Sequence, residues 1–266
     1  MKFFNFIKCR FNINKKNGLY LTLGTVVSSI FLFIFFNFTE DIFGESSLMI
    51  FDRNVIEIIE SIRTPFLNKI MAFITYTGNS YTIAITFLMI LVLLMILKKR
   101  RYLYALFISM SSSAVFVTLI KNIIGRQRPP IENALIILKD FSFPSGHSYM
   151  AVAFYGMIIY FIFDLLKKNK IKFIILAAGI IFILTLGFSR LYLGVHWPSD
   201  IFAGLAAAIA LITAIITILE IKERFQPVEE KPSTPETKKR AIISGLIMFS
   251  AWITYMIAYY ILNPLI

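Results

Sequence analysis

The sequence predicts an all-α protein that crosses a membrane several times, a polytopic helical bundle of about six core transmembrane helices with a seventh span near the C-terminus. Three observations carry that expectation. Of 266 residues, 58% are apolar and only 16% charged, with a mean hydropathy of +0.77, whereas soluble domains carry roughly 45–50% apolar and about 25% charged residues. The apolar residues gather into runs of about 17–25, the length a bilayer core demands of a helix. The basic residues lie between those runs. The same composition excludes a disordered chain, and the single cysteine, Cys9, excludes a disulfide scaffold. Cys9 and the two histidines are too few for a thiolate or imidazole zinc site, so neither metal nor cofactor is expected.

In chain order, the first span is Leu19–Phe38. It is long and lacks a small-residue cleavage site, so it reads as a retained span and not a removed signal peptide. Over Ser47–Thr77, Ile50, Phe51, Val55, Ile58, Ile59 and Ile62 alternate at helical spacing with Asp52, Arg53, Glu57, Glu60 and Arg63. That pattern predicts an amphipathic helix lying at the membrane interface. Five spans follow, Tyr81–Leu97, Tyr102–Ile124, Tyr149–Leu166, Phe173–Phe188 and Ile201–Leu219. Glu220–Arg240, with Gln226-Pro227 and Lys231-Pro232-Ser233-Thr234-Pro235, reads as a flexible polar linker before the last span, Ala241–Leu262.

The charges set an orientation. With a cytoplasmic N-terminus, one face receives Lys2, Lys8, Arg10, Lys15 and Lys16, then the clusters at 98–101 and 167–172, then the basic residues of the linker. Nineteen of the 27 basic residues lie there, the side that the positive-inside rule assigns to the cytoplasm. The formal charge of +12 is therefore a topology signal, with anionic lipid as its partner and no nucleic acid. The opposite face keeps Lys121, Arg126, Arg128 and Arg190 beside the only two histidines. Arg126, Tyr192 and Trp197 read as anchors or interface-belt residues.

Three segments end spans on that opposite face, Lys121–Pro129, Pro144–His147 and Ser189–Asp200. A phosphate carries about two negative charges and suits the planar forks of Arg128 and Arg190, with Lys121 as a point charge. Ser145-Gly146 precedes a helix whose unpaired N–H groups and positive dipole end favour an anion. His196 and Asp200 are four apart at a helix start, with Pro198 in a first-turn position. At that spacing the carboxylate reaches one ring nitrogen and leaves the other free. Cations for an anion, with two imidazoles and a carboxylate, point to phosphoryl chemistry.

The joint pattern, Lys121-x6-Arg128-Pro129, then Pro144-Ser145-Gly146-His147, then Ser189-Arg190-x5-His196-x3-Asp200, resembles the type 2 phosphatidic acid phosphatase (PAP2) superfamily, also called the acid phosphatase/vanadium haloperoxidase fold. The resemblance covers about Phe51 to Leu219. It implies a metal-free phosphohistidine mechanism in which His196 is the nucleophile, Asp200 orients it and His147 protonates the leaving oxygen. It also implies that Lys121, Arg128, Ser145, the Gly146 amide and Arg190 hold the phosphoryl oxygens. Membrane-bound members act on lipid phosphates such as phosphatidylglycerol phosphate, phosphatidate or polyprenyl diphosphates. They typically have six spans, so Ala241–Leu262 is a departure.

The chain thus divides into an N-terminal cytoplasmic segment with the first span (1–46), a catalytic core (47–219), a cytoplasmic linker (220–240) and an additional span (241–266). The leading expectation is an integral membrane lipid phosphatase with an extracytoplasmic active site. A composition rich in Lys, Ile, Asn and Phe fits a bacterial cell membrane. Two other functions are weighed. A phosphotransferase would differ only in the acceptor of the phosphoryl group. A non-catalytic lipid-binding or transport protein would need the cations but not His147, His196 and Asp200.

Overall fold

The first apolar run folds as α1 (Lys16–Phe43), which continues past the run through Glu40 and Asp41. The computed structural model describes residues 16–44, 47–130, 132, 134–166, 169–225 and 234–262. Lys2, Lys8, Cys9, Arg10, Lys15, Lys167, Lys168 and Gln226–Ser233 of the expected linker lie outside the described residues. Within them every long element is a helix, and none forms a strand.

The single interfacial helix expected over Ser47–Thr77 is instead two helices, α2 (Ser47–Ser61) and α3 (Pro65–Thr77). Pro65 lacks the N–H that a helix arriving from α2 would need, and it suits a first helical turn. Thr64 caps the new helix, its hydroxyl accepting the Leu67 N–H at 3.2 Å. The faces of α2 also differ from the expected pattern. Ile50, Phe51 and Ile58 are exposed, while Asp52, expected on a polar face, is buried with Ile56 and Ile59. α3 and α4 (Ser80–Ile96) bend by 46° at Gly78–Asn79 and together are long and apolar enough to form one broken span.

The remaining spans are α5 (Arg100–Ile124), α6 (Gly146–Leu165), α7 (Asn169–Tyr192), α8 (Pro198–Phe225) and α9 (Pro235–Leu262). With α1 they make 6 helices of membrane-crossing length and apolarity among the described residues, and the α3–α4 pair is a seventh. α6 contains a π-helical turn at Ala151–Gly156. α8 is the central helix, packed along α1 and against α6 and α5. Its buried Ala203, Ala206, Ala207 and Ala208 allow close approach, and Ser28 Oγ donates to the Ala210 carbonyl at 2.9 Å. Small residues and interhelical hydrogen bonds are what hold helices together where lipid removes the hydrophobic drive. Phe35, Val117, Phe143, Tyr149, Leu186 and Ala207 join α1, α5, α6, α7 and α8 in one buried cluster.

At the opposite end from the three motif segments, Arg101 pairs with Glu220 at 2.9 Å and Asp164 at 3.3 Å. Tyr160 and Tyr102 donate to Glu220 and Asp164, each at 2.6 Å. This lock holds the end of α8, which runs to Phe225, and α9 begins at Pro235. The expected linker Glu220–Arg240 is therefore helical at both ends. α9 packs on α4 and α3, with Trp252 Nε1 donating to Thr86 Oγ1 at 2.9 Å and Asn79 Nδ2 donating to the Tyr259 hydroxyl at 3.3 Å.

Candidate active site

Local chain chemistry brings the three segments to one end of the bundle. α5 stops at Gly125, whose φ of 64° is the left-handed cap conformation glycine adopts without strain, and whose N–H bonds the Lys121 carbonyl at 3.0 Å. The chain turns there and carries Arg126 and Arg128 back over the helix end. α6 starts at Gly146 after Ser145, and α7 ends with Arg190 in its last turn. α8 starts at Pro198 with Asp200 in its first turn. The Ser145 N–H bonds the Asp200 carbonyl at 3.0 Å, tying the starts of α6 and α8 together.

A cavity of about 600 Å³ opens between these segments, lined at its polar end by Lys121, Arg128, Asp140, Gly146, His147, Arg190 and His196. Its other wall is apolar, including Ile83, Phe87, Met110, Val117 and Met150, and it reaches the Gly78–Asn79 break between α3 and α4. Irregular backbone at membrane depth belongs beside such a cavity. Gly78 touches the site. A Cβ there would lie 2.9 Å from His147 Cδ2 and 2.7 Å from Leu186 Cδ2.

His196 is 2% exposed. Its Nε2 is 3.2 Å from Arg128 Nη1, and its Nδ1 is 3.4 Å from Asp200 Oδ2. A guanidinium only donates, so its bond to Nε2 requires the lone pair on that atom and puts the ring proton on Nδ1, facing Asp200. Burial, with the charges of Arg128, Arg190 and Lys121, pushes this imidazole well below its ordinary value, with Asp140 opposing. The ring is neutral at pH 7. Asp200 is fully buried; its Oδ2 accepts the Trp197 N–H at 2.9 Å and the Ser142 hydroxyl.

The cations are not all free. Lys121 Nζ lies 2.6 Å from Asp140 Oδ2 and also donates to the Phe141 carbonyl. Arg128 Nη2 lies 2.7 Å from Asp140 Oδ1. Burial would raise the Asp140 carboxyl, but Lys121 and Arg128 outweigh it and hold it at about 2. Arg190, 4% exposed, donates through Nη1 to Thr75 Oγ1 at 2.8 Å, and its buried Nε has no hydrogen-bond partner among the described residues. A buried donor without an acceptor is costly, and an anion in the cavity is the natural acceptor.

Two further residues are buried. Ser145 is fully buried and off the cavity wall, its Oγ accepting the Ser148 N–H at 3.4 Å and the Ser148 hydroxyl at 3.0 Å. It caps α6 through the acceptor side of its hydroxyl, which leaves the O–H itself as a donor. Tyr192, expected in an interface belt, is 1% exposed, with its hydroxyl accepting the Thr64 N–H at 3.1 Å and donating to Asn68 at 2.9 Å.

Sequence reasoning also passed over three residues. Arg126, read as an anchor, donates to Asp200 Oδ1 at 2.6 Å and to Asp52 Oδ2 at 2.7 Å. Asp140 carried no signal beyond being an acid in a loop. Asp52 carried a weak one, as an acid directly after Phe51 and Ile50 in an apolar stretch. Among the described residues, no group of three or more His, Cys, Asp or Glu side chains is placed to hold a metal ion.

A membrane-spanning helical bundle with a cation-lined cavity and a neutral histidine backed by a buried carboxylate defines the class, an integral membrane phosphatase. The chain belongs to the PAP2 superfamily. The model of that family, described as "PAP2 superfamily", matches residues 101–224. Phosphatidylglycerophosphatase B of Bacillus subtilis (strain 168) is 30% identical over 205 residues, 73% of this chain and 96% of that protein. The undecaprenyl-diphosphatase of Sulfolobus acidocaldarius is 28% identical over 181 residues, 66% of this chain and 82% of that one. The crystal structure of the transmembrane PAP2 type phosphatidylglycerolphosphate phosphatase from Bacillus subtilis superposes with a TM-score of 0.69 at 26% identity. It covers 75% of this chain and 98% of its own.

Proposed function

We propose that the protein is a metal-independent lipid phosphatase that works through a phosphohistidine on His196. The supporting observation is the placement of that ring, with a lone pair at Nε2 on the cavity and Nδ1 turned to Asp200. Arg128 Nη1 turns from Nε2 to the entering phosphate, Nε2 attacks phosphorus, the bond from phosphorus to the lipid oxygen breaks, and His147 delivers a proton to that oxygen. Water then attacks the phosphohistidine, loses its proton to His147 and releases inorganic phosphate. Lys121, Arg128, Arg190 and the Gly146 N–H stabilise the phosphoryl oxygens, the main demand of phosphoryl transfer. Asp200 orients the ring and stabilises the positive charge it gains. Ser145 shapes the start of α6, with its O–H as a further donor toward the phosphoryl oxygens.

The substrate reading joins the polar end of the cavity to its apolar wall between α4 and α5, which suits a headgroup phosphate continuous with a lipid tail. The relatives favour phosphatidylglycerol phosphate, followed by undecaprenyl diphosphate, and phosphatidate is the third candidate. The catalytic core is 47–219. The composition and the Bacillus relative support a bacterial cell membrane, and the charge pattern supports a cytoplasmic N-terminus with the site extracytoplasmic. Phosphate release by the purified protein in detergent tests the reading. Release from at least one of these three lipids, lost in His196→Ala, is the expected result; no release from any of them contradicts it.

A further inference from the structure

We propose that Asp52 and Arg126 are positioning residues for the Asp200–His196 couple, acting from outside the three motifs. The inference rests on the reading that His196 is the nucleophile. Arg126 forks between two carboxylates from different helices. Its Nη1 donates to Asp200 Oδ1 at 2.6 Å and its Nη2 to Asp52 Oδ2 at 2.7 Å. Ser199, the residue before Asp200, closes the circuit. Its N–H donates to Asp52 Oδ1 at 3.0 Å, its hydroxyl to Asp52 Oδ2 at 2.5 Å, and its Oγ accepts from Arg126 Nη1 at 2.7 Å. Asp52, Ser199 and Asp200 are fully buried, and the Arg126 side chain is 9% exposed. With Ser142 and the Trp197 N–H on Asp200 Oδ2, every oxygen of both carboxylates is engaged.

Stability alone gives no reason for this triad. Taking three charges out of water costs more than apolar packing of the same volume, and such groups are commonly neutral or unfavourable for folding. The charge balance suggests what it does. Arg126 alone against Asp200 would cancel the carboxylate that faces His196. Asp52 on the far side of the guanidinium shares that cation and leaves the triad with one net negative charge. When Nε2 bonds to phosphorus the imidazole gains positive charge, and a net anion behind Nδ1 stabilises it. The fork also fixes the orientation of the carboxylate, whose Oδ2 lies 3.4 Å from His196 Nδ1. Neither Arg126 nor Asp52 lines the cavity, so they act through Asp200.

Rapid-quench measurement of phosphoenzyme formation, alongside kcat and KM, tests this in Asp52→Asn and Arg126→Lys. Asp52→Asn keeps the size of the native side chain, and Arg126→Lys keeps the charge while losing the fork. The expected result is a rate constant for phosphoenzyme formation lowered about 10–100-fold, a part of the roughly 10⁴-fold loss seen when an orienting carboxylate is itself neutralised. KM should stay within about threefold, because Lys121, Arg128 and Arg190 still hold the phosphate. A purely structural role would lower the burst amplitude, which counts folded sites, and leave the rate constant alone. If Asp52→Asn does not fold, Arg126→Lys and Ser199→Ala carry the same test. A native rate constant in the folded fraction of the variants overturns the proposal while leaving the nucleophile standing. A phosphoenzyme that survives His196→Ala overturns the nucleophile, and the proposal with it.

Discussion

The Asp140 carboxylate lies 2.6 Å from Lys121 Nζ, so a cation proposed to hold phosphate is already paired with an acid of its own chain. The second oxygen of Asp140 holds Arg128 at 2.7 Å. A phosphate entering the cavity has to compete with this carboxylate. Asp140 is 58% exposed, and screened pairs of that kind are weak. Asp140→Asn should therefore tighten inhibition by inorganic phosphate and lower KM only about two- to fivefold. Inhibition assays on the purified variant check this, and weaker phosphate binding contradicts it.

Burial and the cations Arg128, Arg190 and Lys121 favour the neutral form of His196, so its pKa lies below the ordinary imidazole value. The sign follows directly. The nucleophile stays unprotonated as pH falls through about 6.5, and loss of activity from its protonation begins at lower pH. With only two histidines in the chain, ring NMR on His147→Ala reports His196 alone. A ring still neutral at pH 6.5 is expected, and Lys121→Met should raise its pKa. A ring that titrates at or above the ordinary value contradicts the electrostatics.

Gly78 has φ −97°, a conformation alanine also adopts, so Gly78→Ala acts by contact alone. The new Cβ meets His147 Cδ2 at 2.9 Å and Leu186 Cδ2 at 2.7 Å. A positioned proton donor contributes about 10²–10⁴-fold, and displacing His147 should remove part of that, about tenfold or more with a lipid alkoxide leaving group. A nitrophenyl phosphate, whose leaving group needs no proton, should lose far less. Equal losses with both substrates contradict a proton-donor role for His147.

The polar end of the cavity carries Lys121, Arg128 and Arg190, two imidazoles and a single carboxylate, Asp140, which the cations outnumber, chemistry that cradles an anion. Activity should therefore persist in excess chelator, and vanadate should inhibit by taking the five-coordinate geometry of the reacting phosphorus. Loss of activity in chelator, restored by a divalent ion, contradicts the metal-free reading.

Much of this was legible in the sequence. The spans were, because apolar run length and flanking charge are one-dimensional properties; α5 through α9 lie where the runs of apolar residues placed them. The gathering of Lys121, Arg128, His147, Arg190, His196 and Asp200 at one end was legible too, since each sits at a span end and alternation of the spans fixes which ends meet. What escaped depends on partners distant in sequence. Asp52 looked like a polar-face acid because periodicity does not reveal that Arg126 and Ser199 will enclose it. Arg126 looked like an anchor for the same reason. Pro65 did carry a local signal, a helix break after Thr64, which the amphipathic pattern across Ser47–Thr77 masked.

The most direct test of the central claim is a rapid-quench experiment with radiolabelled phosphatidylglycerol phosphate, followed by mapping of the labelled residue. A label on His196 that is stable to base and labile to acid is expected, absent in His196→Ala and still formed from a nitrophenyl phosphate in His147→Ala. A phosphoenzyme in His196→Ala, or turnover with no phosphoenzyme on the native protein, contradicts it.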